Sequence, residues 1–306
     1  MVKLVIIGAG NVGSQIGYEI ASRDLVEELC FMDINEKLAK GQAADIQQGL
    51  AFSNNTKVGV CTADDVKDAD IIVITAGKPR TPDIKSRLEL AKINAKIVSN
   101  IVYGLRGFEG IFITLTNPMD LMNYVVYKEA RLTKNKIIGS GGQLDSSRFR
   151  IVLSKMLNTP VTEIEAFVLG EHGDLQVPVF SKVRINGESV DFTEEEKAKI
   201  MEELKNTALD VITNKGATVY APASNTVDMI QAILNDEKTL VAASAVLEGQ
   251  YGLENVSIGV PVILGETGIE KIEEWGLSFG EKTLFDEGVQ KLKSHIAQMM
   301  SSGEDF

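Results

Sequence analysis

The first half of the chain alternates short, nearly continuous apolar runs with longer stretches in which apolar residues return every three or four positions. The runs fall at 4–7, 29–33, 57–61, 71–75, 110–115 and 136–139, each short enough for a strand and apolar enough to be buried on both faces. Such strands, separated by amphipathic helices, predict a doubly wound parallel sheet of the α/β (Rossmann) class. After about residue 145 the rhythm changes. A helix is expected at 145–156, strands at 166–169 and 182–185, a long helix after Thr193, and two more strands at 239–247 and 257–264. Thr193-Glu194-Glu195-Glu196 is a capping-box start for the long helix, whose charged face reads as solvated surface. The chain thus divides into an α/β domain over 1–144 and a mixed α+β domain over 145–306, packed tightly because no linker, repeat or low-complexity tract separates them. The tail 301–306 is expected to fray.

Composition narrows the function classes. A chain of 306 residues, 44% hydrophobic and 24% charged, can bury a sizeable core. Its net charge of -12 excludes a phosphate-backbone binder, so nucleic acid is not an expected partner. The same acidity repels small anions, so a site for an organic acid has to be made locally positive by particular arginines. No run is long enough to span a membrane, and the chain opens on an apolar strand rather than a leader. Cys30 and Cys61 make no disulfide framework, and a reducing cytoplasm is the expected location.

Gly8-Ala9-Gly10-Asn11-Val12-Gly13 follows the first apolar run and opens a helix, the context a dinucleotide fingerprint requires. Gly8 makes the tight turn, Gly10 admits the pyrophosphate to the backbone, Gly13 lets helix and strand pack closely, and the helix N-terminus faces the phosphates. Asp33 ends the second run twenty positions after Gly13, placed to accept hydrogen bonds from ribose hydroxyls and to repel a 2′-phosphate, which favours NAD over NADP. The segment alone leaves FAD and S-adenosylmethionine open.

The chain contains only two histidines, and His295 sits in the C-terminal amphipathic helix. Acid–base work near neutral pH therefore points to His172, in Gly170-Glu171-His172-Gly173-Asp174 directly after an apolar run. Asp145 and Arg148, three apart on a predicted helix, share a face. One could orient an imidazole while the other grips a substrate carboxylate with a bidentate fork.

With these residues the sequence resembles the lactate/malate dehydrogenase family, most closely its archaeal-type malate dehydrogenases. The resemblance runs through Gly8–Gly13, Asp33, Thr75-Ala76-Gly77, Asn117-Pro118-Met119-Asp120, the segment 141–150, the Gly170–Asp174 motif with 176–180, and Gly216-Ala217-Thr218 with Pro222. It implies NAD as cofactor, no metal, a homo-oligomer that is a tetramer of two dimers, and a substrate-binding, catalytic second domain. His172 would then exchange the substrate's hydroxyl proton, Asp145 would stabilise the imidazolium, and Arg148 would hold the C1 carboxylate. Arg87 would swing over the site and polarise the carbonyl. Asn117 would position substrate and nicotinamide, with Asn11, Val12, Thr75, Ala76, Gly77 and Asn94 also along the cofactor. Arg80 would pair with a second carboxylate and so favour malate over lactate, although Arg87 stands ten positions after Gly77 where the family usually has nine. A lactate or broader 2-hydroxy acid enzyme remains the alternative, as does, in a different class, a noncatalytic NAD-sensing protein.

Overall fold

The computed structural model describes residues 1–79, 84 and 86–300, so Arg80 and the tail at 301–306 lie outside the described residues. The first half runs β1 (Lys3–Ile7), α1 (Asn11–Ser22), β2 (Glu28–Met32), α2 (Glu36–Gly49), β3 (Lys57–Val60), β4 (Ile71–Ile74), α3 (Arg87–Gly104), β5 (Ile111–Thr114), α4 (Met119–Ala130) and β6 (Ile137–Gly139). The second runs α5 (Gly142–Leu157), β7 (Ile164–Glu165), β8 (Val168–Gly170), β9 (Gln176–Pro178), β10 (Arg184–Ile185), β11 (Glu188–Ser189), α6 (Glu194–Lys215), α7 (Tyr220–Leu234), β12 (Thr239–Glu248), β13 (Glu254–Gly265), β14 (Gly268–Ile272) and α8 (Phe279–Met300). No helix among the described residues is long and apolar enough to cross a membrane.

The six expected strands of the first half form a parallel sheet in the order β3-β2-β1-β4-β5-β6. The order reverses between β1 and β4, and a crevice outside the C-terminal strand ends at such a reversal is where doubly wound folds bind ligands. Burial on both faces explains why these strands read as unbroken apolar runs: Leu4, Val5, Ile6, Ile72 and Val73 have no exposed surface. The exception is β3, whose four residues are all exposed or half-buried because the strand lies at the sheet edge. The sheet then continues into the second half, where β12 pairs antiparallel with β6 at Ser244 opposite Gly139 and Ala245 opposite Ile138. Beyond β12 come β13, β8 and β9.

Two expected strands are reshaped by this topology. Of the stretch 166–169 only Val168 and Leu169 pair, in β8, while β7 just before it joins β10 and β11 in a separate three-stranded sheet. Of 182–185 only Arg184–Ile185 pairs, because Phe180–Lys182 closes a single helical turn. A second, smaller core of Phe149, Leu153, Ile164, Val183, Ile200 and Leu204 packs α5 and α6 onto that three-stranded sheet. Helix α5 starts at Gly142, three residues before the expected position.

Cys30 and Cys61, which make no framework and are expected in a reducing cytoplasm, form one disulfide with Cα atoms 5.8 Å apart. The cause is register. Cys30 lies opposite Gly59, and Phe31 opposite Val60, so Cys61 falls one step further along on the face that Cys30 presents.

The capping box at α6 is present in both halves: the Thr193 hydroxyl accepts the Glu196 N–H at 3.3 Å, and the Glu196 carboxylate accepts the Thr193 N–H at 2.8 Å. Thr193→Ala should destabilise the protein by about 1 kcal/mol, read as a lower urea midpoint at unchanged slope. A midpoint equal to wild type would show that the cap adds nothing to global stability.

Candidate active site

Most of the expected site residues follow the C-terminal ends of β1, β2, β4 and β5, with Asp145 and Arg148 on α5 and His172 in the loop after β8. At the nucleotide end, Gly10 is the N-cap of α1 and the helix has no side-chain cap, which leaves its first N–H groups for an external acceptor. A side chain at Gly10 would meet nothing within 4 Å, so the space before the helix is open. At Gly13 the reverse holds: a Cβ would stand 1.9 Å from the Gly8 carbonyl oxygen, so only glycine lets α1 lie this close to β1. Asp33 follows β2 and accepts the N–H of Ala9 at 2.7 Å and that of Asn35 at 2.8 Å. Those bonds fix the carboxylate beside the glycine turn, and each oxygen keeps a further lone pair for a ribose hydroxyl. Open space, uncapped helix terminus and fixed carboxylate together fit a dinucleotide.

Two of the residues expected along the cofactor hold its surrounding loops together. The Thr75 hydroxyl donates to the Gly8 carbonyl at 2.9 Å, bracing the glycine turn. Asn94 is 1% exposed; its amide donates to the carbonyls of Asn117 at 2.6 Å and Lys78 at 3.1 Å and accepts the Lys78 N–H at 2.7 Å. Asn94 thereby braces the segments after β4 and β5 against each other. Asn11, Gly77 and Asn117 are exposed at the crevice, while Val12 and Ala76 are half-buried beside it. Asn117 precedes Pro118 through a cis peptide.

At the substrate end, His172 Nδ1 lies 2.6 Å from Asp145 Oδ2, and the other oxygen of Asp145 accepts from Arg148 at 3.1 Å. Their spacing on α5 puts Asp145 and Arg148 on one face, as expected, and Asp145 sits in the first turn, where a carboxylate suits the helix dipole. Asp145 is 4% exposed. The His172 and Arg148 side chains each keep 18% of their surface open. Burial opposes a charge on His172, yet the charge and hydrogen bond of Asp145, helped by Asp120 and opposed by Arg148, leave its pKa above the ordinary imidazole value. With Nδ1 directed at a carboxylate, that nitrogen carries the proton and Nε2 is left for exchange with a substrate.

Arg87 is not directed at this cluster. It is the first residue of α3, capped by Ser86, and its guanidinium bonds Asp174 at 2.8 Å and Glu171 at 3.5 Å on the loop that carries His172. Glu171 also pairs with Lys291 of α8 at 2.6 Å. Arg80 is outside the described residues.

Three site-building residues escaped the sequence reading. Gly141 is needed because a Cβ there would come within 2.8 Å of the His172 ring. Glu171 anchors Arg87, and Asp120 accepts the His172 backbone N–H at 2.7 Å. The signal for Asp120 was available, as a carboxylate inside the apolar run 119–126.

Fold and site together define an NAD-dependent oxidoreductase acting on a CH–OH group. The family model for the lactate/malate dehydrogenase NAD-binding domain matches residues 2–139, and that for the family's alpha/beta C-terminal domain matches 142–302. The chain belongs to the lactate/malate dehydrogenase family. It is 44% identical to a malate dehydrogenase of Halobacterium salinarum, over 98% of this chain and 100% of that one. It is 39% identical to L-lactate dehydrogenase 1 of Bacillus cereus, over 97% and 98%. Among solved structures, a minor L-lactate dehydrogenase from Enterococcus mundtii superimposes with a TM-score of 0.93 at 33% identity, over 97% of this chain and 98% of that one.

With His172 as the expected proton donor, oxo-acid reduction should hold its rate through the ordinary imidazole range and fall only as pH rises through the raised pKa of that ring. In Asp145→Asn the fall should come at lower pH, with kcat down about a hundred- to ten-thousand-fold. An unmoved pH profile in the variant would remove Asp145 from this role.

Proposed function

We propose that the protein is a malate dehydrogenase, catalysing (S)-malate + NAD+ = oxaloacetate + NADH + H+. The observation that carries the reading is the His172–Asp145–Arg148 cluster, with contacts of 2.6 and 3.1 Å, tied by the His172 N–H to Asp120, three residues after Asn117. NAD, when bound, supplies or accepts the hydride at its nicotinamide ring. In this reading residues 1–144 hold the dinucleotide and 145–306 bring most of the substrate chemistry. Arg148 spends one guanidinium nitrogen on Asp145 and uses its remaining donors to hold the C1 carboxylate. In oxidation His172 Nε2 takes the C2 hydroxyl proton, and the carboxylate of Asp145 compensates the charge that forms; in reduction the ring returns the proton to the carbonyl oxygen. Asn117, exposed at the end of β5, orients the reacting carbon. Arg87 leaves Glu171 and Asp174 to polarise the carbonyl, and the site sheds water as it does so.

Malate rather than lactate is supported by the higher identity to the halobacterial malate dehydrogenase than to the bacterial lactate enzyme. Arg80 supports the same choice, since a guanidinium that finds no second carboxylate in a closed site is costly to desolvate. The working form we propose is a homo-tetramer of two dimers, which sedimentation of the purified chain should show as about four chain masses; a monomer at assay concentration would refute it.

NADH should be oxidised on adding oxaloacetate and much more slowly with pyruvate at equal concentration. Arg80→Gln should raise the pyruvate-to-oxaloacetate ratio by on the order of a hundred-fold or more. A wild-type preference for pyruvate would overturn the substrate assignment, and inactivity with every 2-oxo acid would favour a noncatalytic NAD sensor.

A further inference from the structure

The loop that carries His172 holds a buried carboxylate of its own, Glu171, whose side chain is 7% exposed. Two cations among the described residues reach its Oε1: Arg87 Nη1 at 3.5 Å and Lys291 Nζ at 2.6 Å. Its Oε2 accepts the Leu175 N–H at 3.0 Å. Glycine makes both approaches possible. A Cβ at Gly173 would stand 2.7 Å from Arg87 Nη1 and from Glu171 Oε1, and one at Gly288 would stand 3.3 Å from the Glu171 Cβ. The bare backbone at Gly288 seats α8 against this loop, and Lys291, three residues on and on the same face, reaches the carboxylate from there. His295 follows four residues later. Burial, with Lys291 and Arg87, holds its pKa below the ordinary imidazole value against the pull of Glu171, so its ring adds no further cation at neutral pH.

The proposed reaction requires Arg87 to give up both Glu171 and Asp174, and the two losses are unequal. The Asp174 side chain is 74% exposed, so water replaces the guanidinium there with little penalty. Glu171 is closed to water, and a buried carboxylate stripped of its cation is strongly unfavourable. Lys291 removes that obstacle, because it is already on the same oxygen when Arg87 departs. We propose that Lys291 is a positioning residue for Arg87: as the standing counter-ion of Glu171 it frees the guanidinium to reach the substrate, and so sets the share of molecules in which Arg87 is available. This rests on the reading that Arg87 polarises the substrate carbonyl. Lys291 acts through Glu171 and Arg87 alone.

Lys291→Met should leave Glu171 to Arg87 and hold the guanidinium there. The kcat/KM for oxaloacetate, or for whichever 2-oxo acid the protein reduces, should then fall by on the order of ten- to a hundred-fold while the Kd for NADH is unchanged. Lys291→Arg, which keeps the charge, should restore most of that loss. Glu171→Gln added to Lys291→Met should bring the rate back to that of Glu171→Gln alone, since a neutral amide holds Arg87 weakly and needs no counter-ion. Lys291→Gln takes the place of Lys291→Met if the latter does not fold. A second reading needs no substrate. Lys291→Met combined with Arg87→Met should lower the urea midpoint by more than the two single substitutions together, because Glu171 tolerates the loss of either cation but not of both, and the excess should vanish in a Glu171→Gln background. An undiminished kcat/KM in Lys291→Met would overturn the proposal, as would a double variant with Glu171→Gln slower than either single one, or additive urea midpoints. Inactivity of the wild type toward every 2-oxo acid would refute the proposed reaction instead, and the urea midpoints would still decide whether one cation substitutes for the other.

Discussion

A carboxylate taken out of water costs several kcal/mol unless charge and hydrogen bonds compensate it, and Asp145 meets that condition with one partner on each oxygen. The rest of the site is arranged around this constraint. His172 has to approach closely enough to satisfy Oδ2, which requires the bare backbone of Gly141 under its ring. Arg148 has to lie one turn along the same helix, which leaves its free donors beside the imidazole. The imidazole and the guanidinium are thereby placed by a single buried charge.

The nucleotide end obeys a different logic, that of backbone rather than side-chain chemistry. Gly8 to Gly13, Asp33, Thr75 to Gly77 and Asn117 all follow C-terminal ends of parallel strands, and β1 stands between β2 and β4 at the reversal of strand order. What differs is the use of the side chain: Asp33 accepts N–H groups beside the glycine turn, whereas the Thr75 hydroxyl and the Asn94 amide nitrogen donate to carbonyls of neighbouring loops. The positioning of His172 uses both halves, because β8, which precedes it, is joined to the nucleotide-binding sheet through β13 and β12.

Much of this was legible in the sequence, for identifiable reasons. Double-sided burial turns a parallel strand into an unbroken apolar run, so β1, β2, β4, β5 and β6 were visible within a residue or two of their ends. Residue types with few other uses, a scarce histidine and a helix-spaced Asp–Arg pair, pointed to three side chains that the fold does bring together. Strands of two or three residues such as β7 and β10 carry no periodicity, and their pairing is decided by contacts far along the chain. The Cys30–Cys61 bond was hidden for the same reason, since it follows from the register of two strands. Side-chain direction was also beyond the sequence. Whether Asn94 touches a ligand or braces a loop, and whether Arg87 faces substrate or Glu171, depends on neighbours that only the fold supplies.

The pairing of β6 with β12 has a mechanical consequence. Moving the two halves apart as rigid bodies would break the Ser244–Gly139 and Ala245–Ile138 ladder and expose one continuous core. Hinge closure of the kind used by two-lobed clamps is thus closed to this molecule. Its crevice therefore has stiff walls, and its rim is made of loops. Which acid is admitted can then change through a few residues at that rim, while the walls that hold the dinucleotide stay as they are.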